Sequence, residues 1–268
     1  MRPERERPIG ILDSGVGGLT VLAEIMKLLP HEDVIYFADS ANFPYGNKSV
    51  DELQSLALQA SRVLLDKGVK LIVVACNTGS CASLATLRAT YEVPFVGMVP
   101  AIKPATAATR NGKVGVIATK ATVQAEVFAE LLAQFAEGVR VFTRACPGLV
   151  EMVEQGEIDS PELRRLLHEY LEQMLAERID TLVLGCTHYP FLRPVIREIV
   201  GASVNIIDSG AAVARQVERV LRSSDLLGKK TKQGKVTYIS SGSEELFVNA
   251  ARRLFNAGDR VDNDDVQS

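Results

Sequence analysis

The sequence predicts an α/β fold made of two pseudo-symmetric lobes, each a parallel-sheet sandwich, facing each other across a cleft. Three observations carry that prediction. Short apolar or β-branched runs alternate along the chain with amphipathic stretches of helical length, as βαβ units demand. Polar residues recur at the ends of those runs, where open α/β sheets bind their ligands. Two of these ends are doubled. Asp-Ser-Gly follows a strand at 13–15 and again at 208–210, and a cysteine with small polar followers closes a strand at Cys76 and again at Cys186.

Taken in order, the first strand spans 9–12 and ends in Asp13-Ser14-Gly15-Val16-Gly17-Gly18. A helix follows over 19–29, with Leu19, Leu22, Ile25, Met26 and Leu29 at helical spacing, and Pro30 stops it. The Gly-rich turn is not a dinucleotide fingerprint, because Thr20 stands where the third glycine belongs. It is not a Walker loop either, for want of Gly-Lys before Ser or Thr. Asp13 at its mouth would also repel phosphate. The turn is read instead as exposing a carboxylate, a hydroxyl and backbone N–H groups at a helix start, where N–H groups suit a ligand carboxylate. The plainer alternative for Asp13 and Ser14 is a helix cap.

The strand at 33–38 leads to Asp39-Ser40-Ala41-Asn42 and a structured turn, Phe43-Pro44-Tyr45-Gly46. A helix over 50–67 precedes the strand at 71–75, which delivers Cys76, Asn77 and Thr78; Thr78 and Ser80 are candidate caps for a helix toward Ala89. Residues 94–99 form a strand or a crossover between lobes. The strand at 114–118 ends in Thr119, Lys120 and Thr122, whose threonines could be ordinary caps. A strand at 139–143 precedes Cys146 and a short helical stretch at 149–154, where Glu154 could be plain surface. Ser160 and Pro161 are an N-cap and a first helical residue, opening an amphipathic helix to about 177.

The run at 181–184 is too short for a helix; it breaks at Gly185 and delivers Cys186, Thr187 and His188. A helix over 191–200 and a strand over 204–207 bring the second Asp208-Ser209-Gly210. Residues 229–235 read as a solvated basic turn, 236–239 as a strand and 244–255 as a helix, and the acidic tail at 258–268 is expected to be disordered. His31 and His168 read as exposed.

Composition narrows the function classes. The 268 residues carry a net charge of -3, with 24% charged and 47% hydrophobic residues, an ordinary globular balance. Lys and Arg (30) do not outnumber Asp and Glu (33), which argues against a nucleic-acid surface. No apolar run approaches the ~18 residues of a spanning helix, so no membrane partner is expected. The charged N-terminus has no apolar stretch behind it, and four cysteines without a signal point to free thiols in a reducing compartment. The cytoplasm is the expected location.

The paired cysteines are the feature to explain. A buried cysteine is most often a small core residue, yet Asn77-Thr78 and Thr187-His188 are followers that an inert core position does not require. Structural zinc spacings are absent, as is the Cys-x-x-Cys of a disulfide catalyst. Cys81 and Cys146 are read as structural. A thiol of ordinary pKa ~8.5 is a workable general base when a carboxylate or imidazole helps it shed its proton. Two thiols facing one carbon could take a proton from one face and return it to the other, which is racemisation by two bases. A covalent Cys–His hydrolase would leave the second thiol unexplained. His188 could also be a packed turn residue.

ILDSGVGGLTVL, YFADSANFPYG, VVACNTGS, CPGLVEMVEQG and LVLGCTHYP together resemble the bacterial glutamate racemases, with aspartate and hydantoin racemases as close relatives. The resemblance runs from Ile9 to Gly242. It implies a second lobe, residues 98–207, inserted into a first lobe made of 1–97 and 208–268. It also implies a cofactor-independent enzyme, needing neither pyridoxal phosphate nor metal, that makes D-glutamate for peptidoglycan. Cys76 would be the base for D-glutamate and Cys186 for L-glutamate, with Asp13 assisting the former and Glu154 and His188 the latter. Substrate contacts would come from Asp13, Ser14, Tyr45, Gly46, Asn77, Thr78, Thr119, Thr122, Thr187 and His188. A homodimer is implied, and an inhibitory interaction with DNA gyrase is raised by some members. The alternatives are a racemase for aspartate or another small amino acid, and a non-catalytic amino-acid-binding protein of receptor type.

Overall fold

A computed structural model describes residues 3–254 and the backbone of residues 266 and 267. Its strands form two parallel sheets. The first contains β1 (Ile9–Asp13), β2 (Val34–Ala38), β3 (Leu71–Val74) and β4 (Phe95–Gly97). The second contains β5 (Lys113–Ala118), β6 (Arg140–Ala145), β7 (Thr181–Gly185) and β8 (Asn205–Ile207). Late in the chain, β9 (Val236–Ser240) returns to the first sheet beside β2, and β10 (Val266–Gln267) pairs with β9.

Strand order shows the doubling directly. The first sheet runs β10-β9-β2-β1-β3-β4 and the second β6-β5-β7-β8, so β2-β1-β3-β4 and β6-β5-β7-β8 share one topology. In each, the chain steps to one side of the first strand and then crosses to its other side, leaving a crevice at the carboxyl ends. Cys76 follows β3 and Cys186 follows β7, which are equivalent strands. The Asp-Ser-Gly repeat is not part of this symmetry. The counterpart of β1 is β5, which is followed by Thr119, whereas Asp208 follows β8. There Asp208 pairs with Arg193, and Ser209 donates to the Val99 carbonyl at 2.7 Å, so the second copy closes the crossover between lobes.

The helices form where local chemistry permits. α1 (Leu19–Leu28) buries Leu19, Leu22 and Ile25 against the first sheet together with α10 (Gly210–Ser223). α2 (Val50–Asp66) opens on a reciprocal capping box between Ser49 and Glu52. α3 (Asn77–Thr90) is capped by Cys76 itself, whose sulfur accepts from Gly79 N–H at 3.4 Å. Thr78 and Ser80, the expected caps, are already inside the helix, because the chain turns helical straight after the β-region backbone of Cys76. α4 (Ile102–Ala108), α5 (Lys120–Gln124), α6 (Glu126–Phe135), α7 (Leu149–Glu154), α8 (Pro161–Ala176) and α9 (Arg193–Val200) surround the second sheet, and α11 (Glu244–Leu254) packs on the first. The helix expected from 191 begins as a 3₁₀ turn, Tyr189–Leu192, before α9.

The loop at 229–235 is more than a solvated turn. Lys230 pairs with Asp33, and Asp33 accepts from Lys235 N–H at 3.1 Å. Most of the tail expected to be disordered lies outside the described residues; Val266 and Gln267 are in a strand. Among the described residues, no helix is long and apolar enough to cross a membrane.

Candidate active site

The carboxyl ends of β1, β3, β5 and β7 converge on a small, nearly closed cavity of about 10 Å³ between the lobes. Ten of the thirteen residues expected at the site line it: Ser14, Tyr45, Gly46, Cys76, Asn77, Thr78, Thr119, Cys186, Thr187 and His188. Asp13, Glu154 and Thr122 stand one layer behind. Phe43, Pro44 and Val150 complete the wall and carried no polar signal in the sequence.

On the first-lobe side, Cys76 is buried at the start of α3 with Ser14 Oγ 3.9 Å from its sulfur. Burial pushes its thiol pKa well up, and the neighbouring Asp13 carboxylate and the charge of Cys186 add to this against the Gly79 N–H. Asp13 is fully buried and its Oδ2 accepts from Gly15 N–H at 3.2 Å and Gly18 N–H at 2.9 Å. It therefore does hold the turn before α1. Its Oδ1 has no hydrogen-bond partner, and burial raises its pKa to about 6 although the charge of His188 opposes this. Both polar atoms of the Asn77 amide are likewise buried and unpartnered. Such orphaned groups cost roughly 1–3 kcal/mol each; of the two residues, Asn77 lines the cavity and has an amide donor and acceptor to offer a ligand.

On the second-lobe side, Cys186 Sγ lies 3.7 Å from His188 Nδ1, and His188 Nε2 lies 2.7 Å from Glu154 Oε1. Burial works against a charged ring, but the partnership with Cys186 and Glu154 prevails and holds the His188 pKa well above its ordinary value. Glu154 is thus a member of a thiol–imidazole–carboxylate chain. Its Oε1 also accepts from Val16 N–H of the opposite lobe at 2.8 Å. That approach requires Gly15, since a Cβ there would lie 2.0 Å from the same oxygen.

A third group spans the cleft. Thr78 Oγ1 lies 2.8 Å from Thr119 Oγ1 and 3.1 Å from Thr122 Oγ1, while Thr119 also caps α5 by accepting from Thr122 N–H. Tyr45 reaches Asp39 Oδ2 at 2.6 Å, which fixes the turn carrying Gly46 beside Thr119. Asp39 was not singled out as a site residue. Its signal would have been an acidic strand end opposite a tyrosine six positions on.

All four cysteines are free. Burial pushes Cys81 and Cys146 up to about 12; it acts alone on Cys81, while Arg144 opposes it and Cys186 adds to it at Cys146. Among the described residues, no three His, Cys, Asp or Glu side chains converge as metal ligands do.

The Asp/Glu/hydantoin racemase family model matches residues 10–217. The chain belongs to the Asp/Glu/hydantoin racemase family. It is 49% identical to the glutamate racemase of Herpetosiphon aurantiacus over 91% of this chain and 96% of that protein. It is 56% identical to the glutamate racemase of Pseudomonas entomophila over 84% of this chain and 85% of that protein. The crystal structure of glutamate racemase isoform RacE1 from Bacillus anthracis superposes with a TM-score of 0.86 at 36% identity, covering 93% of this chain and 94% of that one. For a member of this racemase family, a thiol from each lobe on one small cavity is the arrangement that acid–base chemistry at a single carbon needs.

Proposed function

We propose that this protein interconverts L- and D-glutamate by passing the Cα proton between Cys186 and Cys76. One observation carries the reading. Two buried thiols from equivalent strand ends of opposite lobes line one cavity, each backed by its own ionisable partner.

The two partners differ, and the difference sets a resting state. The reading assigns the thiolate to Cys186, beside a His188 held positive by its bonds to Cys186 and Glu154, while burial and Asp13 keep Cys76 protonated. Two thiolates together would repel across the cavity. In this state Cys186 takes the Cα proton of L-glutamate and the Cys76 S–H delivers its proton to the opposite face. The product is D-glutamate, with Cys186 protonated and Cys76 a thiolate. The resting state returns when the Cys186 thiol loses its proton to water as product leaves, the adjacent imidazolium favouring the thiolate, while Asp13, with a pKa of about 6, passes a proton to Cys76 and is reprotonated from water. Charge that builds on the substrate carboxylate faces the Asn77 amide and the N-terminal N–H groups of α3, which stabilise it by preorganised dipoles. The sequence as drawn uses neither pyridoxal phosphate nor metal.

The product would serve peptidoglycan synthesis in the cytoplasm. The lobes divide as 1–97 with 208–268 and 98–207 in this reading. The protein is expected to assemble as a homodimer, which sedimentation would check.

The test is Cα deuterium uptake and loss of optical rotation for L- and D-glutamate in deuterated buffer, without added cofactor, for the protein and for Cys76→Ala and Cys186→Ala. Uptake with racemisation in the parent and none of the latter in either folded variant is expected. Full racemisation in either variant overturns the two-thiol reading, and exchange of aspartate alone moves the substrate.

A further inference from the structure

The residue that breaks the dinucleotide pattern, Thr20, has a place in the site. It lies on the first turn of α1, in the first lobe, and its Oγ1 is 2.8 Å from the Gly17 carbonyl and 3.1 Å from the Thr187 carbonyl of the second lobe. Thr187 sits between Cys186 and His188, so its carbonyl belongs to the segment that joins the base to its imidazole partner. A glycine at 20 would leave this carbonyl without that donor. The contact is made across a tight approach. A Cβ at Gly17 would lie 2.4 Å from His188 Nδ1 and 2.6 Å from Thr187 Oγ1, so side-chain-free backbone is what lets the Thr20 hydroxyl reach. With the Val16 N–H on Glu154, the first lobe grips both ends of the Cys186–His188–Glu154 chain.

We propose that Thr20 is a positioning residue for the Cys186 half of the reaction, aligning the thiol and imidazole through the Thr187 carbonyl only when the lobes are closed. The proposal rests on the two-thiol reading above. It gives Thr20 a directional role: proton transfer at Cys186 depends on it and transfer at Cys76 does not.

The experiment compares the parent protein with Thr20→Val, which keeps shape and loses the hydroxyl, and Thr20→Ser, which restores it. Turnover and primary isotope effects are measured with 2-deuterated L- and D-glutamate. Thr20→Val is expected to lose about tenfold in kcat with little change in KM, the scale of one hydrogen bond felt at a transition state. Its isotope effect on kcat/KM should rise from the L side, where Cys186 abstracts the deuteron, and fall from the D side, where Cys76 does. Thr20→Ser should recover both. A merely structural role would lower the active fraction and leave the isotope effects where they were. Unchanged or equally changed isotope effects in Thr20→Val, or no rescue by serine, overturn the proposal. If the parent itself fails to exchange the Cα proton of glutamate, it is the two-thiol reading that falls.

Discussion

Replacing Glu154 by glutamine isolates charge from shape. Glu154 Oε1 accepts from His188 Nε2 at 2.7 Å and from Val16 N–H at 2.8 Å. A glutamine oxygen can still accept both, so the cross-lobe contact survives while the negative charge is lost. The carboxylate side chain is only 19% exposed, so solvent screens the interaction weakly. Two opposite charges ~4 Å apart attract by at most ~4 kcal/mol at an effective dielectric near 20. Measured hydrogen bonds to charged groups are worth about 1.5–3 kcal/mol. At 1.4 kcal/mol per decade, Glu154→Gln is expected to lose about ten- to a hundredfold in kcat/KM for glutamate. The sign of the pH effect follows from the same bond. Without the carboxylate the His188 pKa falls, so the imidazolium is lost at lower pH and the alkaline limb of the pH–rate profile moves to lower pH. Circular dichroism and thermal unfolding would establish that the fold is kept. A variant within twofold of the parent, with its alkaline limb unmoved, would refute the claim that Glu154 acts through the charge on His188.

Two further predictions concern stability. Asp13 has its pKa raised from 3.8 to about 6 by burial, so the folded state holds its proton more tightly than the unfolded chain. That contribution is fully present below pH 3.8 and is lost as pH rises through about 6; above it the buried carboxylate costs about 3 kcal/mol. In urea unfolding, Asp13→Asn should therefore be more stable than the parent by up to about 3 kcal/mol at pH 8 and equal to it at pH 3.5, while losing racemisation; a variant equally or less stable at pH 8 would contradict this. Far from the site, Lys70 and Glu32 form a buried pair at 2.5 Å with side chains 0% and 6% exposed. Lys70→Met strands the Glu32 carboxylate and should cost about 3–5 kcal/mol with kcat unchanged in the folded protein; a cost below about 1 kcal/mol would show the pair to be solvated after all.

What could be read from the sequence was local. Cys76, Cys186 and Asp13 each end a short apolar strand, and a polar group at that place points into the crevice whatever the rest of the chain does. Glu154 carried no such mark, because its partner His188 lies 34 positions away and only the packing of α7 against the 3₁₀ turn after β7, Tyr189–Leu192, joins them. The contact from Val16 is a main-chain N–H, which no residue type advertises. Cys76 was taken as a base but not as a helix cap, since sulfur is a weak acceptor and serine or threonine nearby looks the better candidate. The second Asp-Ser-Gly misled for a related reason. Three residues suffice to make a turn, and the same turn serves a ligand after β1 and a crossover after β8.

The threonine cluster and the grip of Thr20 and Val16 are reciprocal. Thr119 and Thr122 of the second lobe hold Thr78 beside Cys76, and the first lobe holds the peptide beside Cys186. Neither lobe owns a finished base. Any separation of the lobes would undo both alignments together. A carbanion formed between the lobes would therefore be committed: a movement that exposed it to bulk water would also dismantle the groups able to create it. Stereochemical inversion and protection from stray protons are, in this design, a single event.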